Sequence, residues 1–164
     1  MKIGIISDTH DSHGYAQKAV NVFNREKVEY IFHAGDITSI STAMIFSQVD
    51  GAKFIGVFGN CDKDKLNLAE SIQQFNGLIY EGIYKGQIDG RQIHMTHIPY
   101  TLDEVTDSGS YDLVIYGHTH KQDIRKVGNS LVINPGSARR WFSEKPKVVV
   151  LELGDMKHKS VALS

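Results

Sequence analysis

Short apolar runs recur along the chain at residues 3–6 (IGII), 30–32 (YIF), 54–58 (FIGVF) and 113–116 (LVIY). Their apolarity is continuous rather than alternating, which predicts strands buried on both faces. Between the first three runs the period changes. Tyr15, Ala16, Ala19, Val20 and Phe23 recur at helical spacing, with Asp11 or Ser12 as the cap. A second helix, capped by Ser39 or Ser41, carries Ala43, Met44 and Val49. This β-α-β-α-β order predicts a parallel sheet with helices outside. Further on, residues 84–88 and 92–97 flank Asp89-Gly90, a strong hairpin signal. Residues 131–134, 147–153 and 160–163 read as additional strands. The pattern therefore predicts an α/β fold in which two packed sheets form a mixed sandwich with helices on its outer faces. The chain should be a single domain over residues 1–164, because that length supports one core and is too short for two comfortable ones.

Composition narrows the functional classes. Hydrophobic residues make up 41%, charged residues 23%, and the formal net charge is -1. No bulk electrostatic attraction draws such a chain to nucleic acid or to an anionic membrane. An anionic substrate would need a local positive charge. The single cysteine, Cys61, excludes an internal disulfide and a cysteine-rich zinc site. No long apolar stretch serves as a secretory signal or a membrane span, so a cytoplasmic protein is the default expectation.

The candidate chemistry sits where the apolar runs stop. Residues 3–6 lead to Asp8 and His10, 30–32 to Gly35 and Asp36, and 54–58 to Gly59 and Asn60. The strand over 92–96 ends at His97, and 113–116 ends at His118 and His120. Each residue alone has a bland reading as a cap, a turn or a satisfied core histidine. Seven such coincidences at successive strand ends are better explained by one shared cause, for open α/β sheets place ligand sites beyond the carboxyl ends of their strands.

Seven protein groups exceed the four ligands of one zinc ion. Shared between two ions through one carboxylate, they supply four ligands each. Imidazole, carboxylate and amide together suit Mn²⁺, Fe²⁺, Zn²⁺, Ni²⁺ or Co²⁺ and suit Ca²⁺ poorly. Two divalent ions, less two aspartates and one bridging hydroxide, leave a formal charge of about +1, the local attraction that the near-neutral chain lacks. Such a pair favours direct in-line attack of the hydroxide at phosphorus.

Asp8-Thr9-His10, Gly35-Asp36, Gly59-Asn60, His97 and Gly117-His118-Thr119-His120 resemble the ordered blocks of the calcineurin-like metallophosphoesterases. The segment Ile133-Asn134-Pro135-Gly136-Ser137-Ala138 is similar to the small bacterial and archaeal phosphodiesterase branch, to which the retromer scaffold subunit also belongs. The resemblance implies a four-layer αββα fold. It implies that Asp8, His10, Asp36 and His120 bind one metal, and that Asp36, Asn60, His97 and His118 bind the other, with Asp36 bridging. Asp36, Asn60 and His97 are then the expected catalytic residues, and the cofactor is a pair of divalent ions, Mn²⁺ before Zn²⁺, Ni²⁺, Fe²⁺ or Co²⁺. The expected substrate is a small phosphodiester or phosphomonoester, with no membrane partner and no strong nucleic-acid binding.

Two departures from the family stand out. Cys61 occupies the place of a histidine that in many members protonates the leaving group, and Ile98-Pro99 replaces a frequent Gly-His. A thiol beside two metals is expected to ionise and to donate poorly, leaving Asp62, His13 or His33 as substitute acids. Residues 137–142, with two arginines beside Trp141 and Phe142, read as the lining of a substrate entrance or, preferred, as a subunit contact surface of a homodimer or higher homo-oligomer. The alternative functions are a catalytically weak or inactive interaction scaffold on the same fold, and a metallohydrolase acting on esters or amides.

Overall fold

The computed structural model describes residues 1–140 and 145–164. The first half of the chain alternates β1 (Lys2–Ile6), α1 (His13–Glu26), β2 (Tyr30–His33), α2 (Ile40–Ile45), β3 (Lys53–Val57), α3 (Lys65–Gln73) and β4 (Leu78–Tyr80). The second half holds β5 (Ile83–Ile88), β6 (Arg91–Thr96), α4 (Leu102–Asp107), β7 (Leu113–Ile115), β8 (Asp123–Val127), β9 (Ser130–Asn134), β10 (Lys147–Glu152) and β11 (His158–Ala162). One sheet has the order β11-β10-β1-β2-β3-β4, the other β5-β6-β7-β9-β8. Strands β1 to β4 run parallel, as do β6, β7 and β9, and antiparallel strands complete both sheets.

Three apolar layers hold four structural layers together. Ile3 and Ile5 of β1 point between the sheets and meet Ile93, Met95, Leu113 and Ile115. Ile6 lies on the opposite face and packs with Ala16, Ala19, Val20 and Phe23 of α1. This explains the unbroken apolar run: both faces of the strand are buried. Val114 and Val132 face outward against Leu102 and Val105, placing α4 on the outer face of the second sheet. The architecture is the αββα sandwich that the sequence predicts.

Local signals were legible in part. The Asp89-Gly90 turn has both φ angles positive, 51° and 77°, and joins paired Ile88 and Arg91, as a two-residue hairpin requires. Ser39 caps α2 by accepting from the Thr42 N–H at 3.3 Å, while Ser41 lies inside the helix. Ser12 precedes α1 without a side-chain cap bond. Val49 lies outside α2, beyond a short 3₁₀ turn over Phe46–Gln48. The last strand begins at His158, two residues before its expected start.

Elements α3, β4, α4 and β8 escape the hydrophobic pattern because each is short or partly exposed. In α3 only Leu68 and Ile72, with Ser71, are buried, and β8 is an edge strand carrying Asp123, Arg125 and Lys126.

Gly4 marks the tightest strand–helix contact. A Cβ there would stand 2.5 Å from the Phe23 ring, which is itself fully buried. Gly4→Ala is therefore expected to cost about 1–3 kcal/mol through overpacking. Urea unfolding that shows an unchanged midpoint would remove this contact as a constraint.

Candidate metal centre

The carboxyl ends of β1, β2 and β3 and those of β6 and β7 open onto one edge of the sandwich, and the seven candidates meet there. His10 Nε2 lies 3.8 Å from Asp36 Oδ2, and His97 Nε2 lies 3.4 Å from the same oxygen. Asn60 Oδ1 is 3.0 Å from both His97 Nε2 and His118 Nδ1. His120 Nε2 is 3.1 Å from Asp8 Oδ1, an ion pair without the alignment of a hydrogen bond. Asp36 thus sits between residues delivered by both sheets.

The two aspartates are built alike. Each ties one oxygen to the protein and turns the other into the cluster. Asp8 Oδ2 accepts from Ser7 Oγ at 2.5 Å and from the His118 N–H at 3.1 Å, leaving Oδ1 inward. Asp36 Oδ1 accepts from the Cys61 N–H at 2.8 Å, leaving Oδ2 inward. Burial pushes the Asp36 carboxyl up, but hydrogen bonds from His97 and the Cys61 backbone outweigh it and hold the group below its usual range.

His97 faces a carbonyl at its far nitrogen. Its Nδ1 lies 2.7 Å from Ala34 O, so Nδ1–H donates and Nε2 is directed at Asp36 and Asn60. Burial lowers its pKa, yet the Asp36 carboxylate wins and raises it. A proton or a cation at Nε2 answers the same surroundings.

These atoms fit a metal pair on two counts. Asp8 Oδ1 and His10 Nε2 are buried without a hydrogen-bond partner among the described residues, an arrangement costly for a polar group unless a ligand completes it. Donors at about 2.0–2.1 Å from one ion stand about 3.0–3.4 Å apart, close to the separations seen. The groups Asp8–His10–His120 and Asp8–Asp36–His97 each bring one ligand atom per residue within 4.8 Å of the others.

Holding the atoms so costs backbone strain. Asp8, His10, Asp36, His118 and His120 all have positive φ, between 45° and 68°. Non-glycine residues adopt that region at a cost, and only where surrounding structure dictates it. Gly59 shows the crowding: a Cβ there would lie 2.1 Å from Asp36 Oδ1.

Several positioning groups are missing from the sequence-level set. Asp62 is buried, and its carboxylate accepts from the N–H groups of Gly59 at 2.7 Å, Thr38 at 2.7 Å and Asp36 at 3.0 Å. It staples the Asp36 loop to the Asn60 loop. Its expected role as a substitute acid does not suit oxygens so engaged. Asn134 Nδ2 donates to Gly117 O and Thr119 Oγ1, and Ser137 Oγ donates to Asp8 O, so the 133–138 segment clamps two ligand loops. Only that segment's resemblance to the family hinted at this.

The other proposed acids also change. His33 is fully buried; its Nδ1 accepts from the Gly35 N–H and its Nε2 meets Thr9 Oγ1. Burial takes its pKa down to about 3, so it stays neutral and braces the strand end. His13 lies on the surface beside Ser41. In the metal-free protein burial, then the neighbouring Asp36, push the Cys61 thiol up, whereas the expected ionisation concerns the metal-loaded site. The Cys61 sulfur also joins His10 and Asp36 as a third group of candidate ligands. Trp141 and Phe142 lie outside the described residues.

A family model for the calcineurin-like phosphoesterase superfamily domain matches residues 1–156. The chain belongs to that superfamily. Like this superfamily member, the phosphodiesterase MJ0936 of Methanocaldococcus jannaschii is a short chain; the two are 34% identical over 99% of each. A solved archaeal phosphodiesterase superposes with a TM-score of 0.93 at 34% identity, covering 99% of both chains. Vps29 of Entamoeba histolytica, solved with zinc, shares the phosphoesterase fold at a TM-score of 0.71 and 22% identity, covering 100% of both.

Asp62→Asn replaces one acceptor oxygen with a donor facing backbone N–H groups. It is expected to destabilise the protein by about 2 kcal/mol and to lower metal stoichiometry. Urea unfolding and elemental analysis matching the parent protein would show that the staple is dispensable.

Proposed function

We propose that this chain, as one domain over residues 1–164, is a binuclear metal-dependent phosphodiesterase. The observation that carries the reading is Asp36 Oδ2, which faces His10 from one sheet and His97 from the other within 3.8 Å. Asp8, His10, Asp36 and His120 would hold one divalent ion, and Asp36, Asn60, His97 and His118 the other. When bound, the ions supply Lewis acidity toward the phosphoryl oxygens and a nucleophilic hydroxide near neutral pH. Mn²⁺ is the first choice of metal, with Zn²⁺, Ni²⁺, Fe²⁺ and Co²⁺ compatible with the same donors. The phosphodiesterase names of the relatives at 34% identity support the choice of bond.

The protein's own groups orient the site. Asp8 and Asp36 present one oxygen each, His97 is fixed by Ala34, and Asn60 offers its amide oxygen between two imidazoles. Burial and Asp36 push the Cys61 thiol up in the metal-free protein, which makes it a weaker acid than an imidazolium in the same place. A cytoplasmic location and a homo-oligomeric state complete the proposal. The scaffold alternative draws on the shared Vps29 fold, yet a binding surface has no use for two buried carboxylates aimed at three imidazoles.

Metal-loaded protein should hydrolyse bis(p-nitrophenyl) phosphate, and chelation should abolish the activity. Asp36→Asn removes the bridging carboxylate and is expected to leave at most one ion per chain with turnover near background. Two ions per chain in that variant, by elemental analysis, would sink the bridging role; a parent protein without metal-dependent turnover would favour the scaffold.

Leaving groups provide a separate test. Aryl diesters, which need little protonation, should be cleaved far faster than alkyl diesters. Cys61→His should narrow the gap, by up to about 10²-fold, through faster turnover of alkyl substrates. Rates independent of leaving-group pKa, with chemistry limiting, would assign the proton to another group.

A further inference from the structure

A second feature adjoins the candidate centre, and the metal chemistry makes no use of it. A cavity of about 240 Å³ opens beside Asn60 and His97, and Phe58, Ile83, Ile98 and Tyr100 form its apolar wall. Tyr100 is 87% exposed and Ile83 44%, unusual exposure for large side chains that line one recess. The cavity is smaller than the ~300–1,000 Å³ of a whole small-molecule site, and so suits one ring system rather than an extended chain.

Its chemistry selects among the groups a phosphodiester carries. Among the described residues no carboxylate, ammonium or guanidinium lines the wall. A second phosphate would want cations there, and a sugar would want a set of hydrogen-bond partners. Two lysines stand just outside the wall and both are engaged: Lys63 Nζ donates to Asn60 O at 2.8 Å, and Lys65 pairs with Glu81 and lies 5.4 Å from the centroid of the Phe58 ring. Ile98 and Tyr100 come from the segment where this chain departs from the family's Gly-His. The Tyr100 N–H donates to Ile98 O at 3.0 Å across Pro99, a tight turn that sets the backbone from which the ring projects.

Building on the phosphodiesterase reading, we propose that this cavity is a subsite for a flat, uncharged ring. The preferred substrates are then diesters that carry an aryl group or a nucleobase. The ring lies against Tyr100 and Ile98 while its phosphate reaches Asn60 and His97. Tyr100 and Ile98 set specificity, and the metal-facing residues do not.

Competitive inhibition tests this without the confounding effect of leaving-group reactivity. Methyl phosphate, phenyl phosphate and thymidine 5′-monophosphate are compared as inhibitors of bis(p-nitrophenyl) phosphate hydrolysis, at a pH where all are dianions. Ring-bearing inhibitors should bind about 5- to 150-fold more tightly than methyl phosphate, the range that stacking of one base supplies. Tyr100→Ala should bring the ratio close to one, and Tyr100→Phe should keep it. Saturation-transfer NMR on the metal-free protein gives a readout independent of turnover: ring protons should receive magnetisation, and Tyr100→Ala should remove it. Tighter binding of phenyl phosphate alone assigns an aryl group, and tighter binding of both assigns a ring in general. Equal inhibition by all three, or a ratio unchanged in Tyr100→Ala, overturns the subsite while leaving the phosphodiesterase reading intact. Absence of metal-dependent hydrolysis of any diester overturns both.

Discussion

Two carboxylates buried at the meeting point of two sheets govern the rest of this structure. Asp8 is fully buried and Asp36 almost so, within reach of His97 and His120. Unpaired, such charges are among the most costly groups a protein can bury. The fold offsets that cost on one side of each carboxylate, with backbone and hydroxyl donors, and leaves the other side unspent. The imidazoles of His10 and His97 stand against the inward oxygen of Asp36.

From that constraint the loop geometry follows. Each ligand stands one to five residues beyond a strand that is paired on both sides: β1, β2 and β3 in one sheet, β6 and β7 in the other. Strand pairing fixes where each loop begins to within a fraction of an ångström, and the positive φ angles then turn the side chains back over the edge. Residues with no ligand role make that turn affordable. Asp62 joins two loops through three N–H groups, and Asn134 and Ser137 bind the Gly117 and Asp8 loops from a third direction. Side chains so held are positioned by the surrounding loops, as a preorganised site requires.

Much of this was legible in the sequence, and what was not has a physical reason. Strands buried on both faces announce themselves as unbroken apolar runs, so β1, β2, β3 and β7 were placed closely. Helix α4, with only Leu102 and Val105 to bury, and the polar edge strand β8 carry no periodicity to read. The ligand set was visible because histidine and aspartate recur where strands stop. The stapling role of Asp62, named only as a substitute acid, was not, for a carboxylate that serves backbone N–H groups looks in sequence like any turn residue. The expected ionisation of Cys61 considered the metals alone; without them burial, and then Asp36, push the thiol up. Division of the ligands between two ions came from the family resemblance, since spacing along the chain does not specify it.

The same edge separates two kinds of information. Under the proposed function, residues on the ends of β1, β2, β3, β6 and β7 would determine which bond can be attacked, and changing them would remove a ligand or a staple. The segment that follows His97 carries none of the seven candidates: among the described residues no carboxylate lines the cavity walled by Ile98 and Tyr100, and Pro99 lies in the turn between them. Substitution there alters what lies beside the phosphate while leaving the donors in place. A fold in which strand ends hold the chemistry and the adjoining loop holds the selectivity can exchange substrates without rebuilding its centre. Under the proposed function the departure at Ile98-Pro99 would therefore bear on substrate choice, whereas the departure at Cys61, hydrogen-bonded through its N–H to Asp36, would bear on the proton.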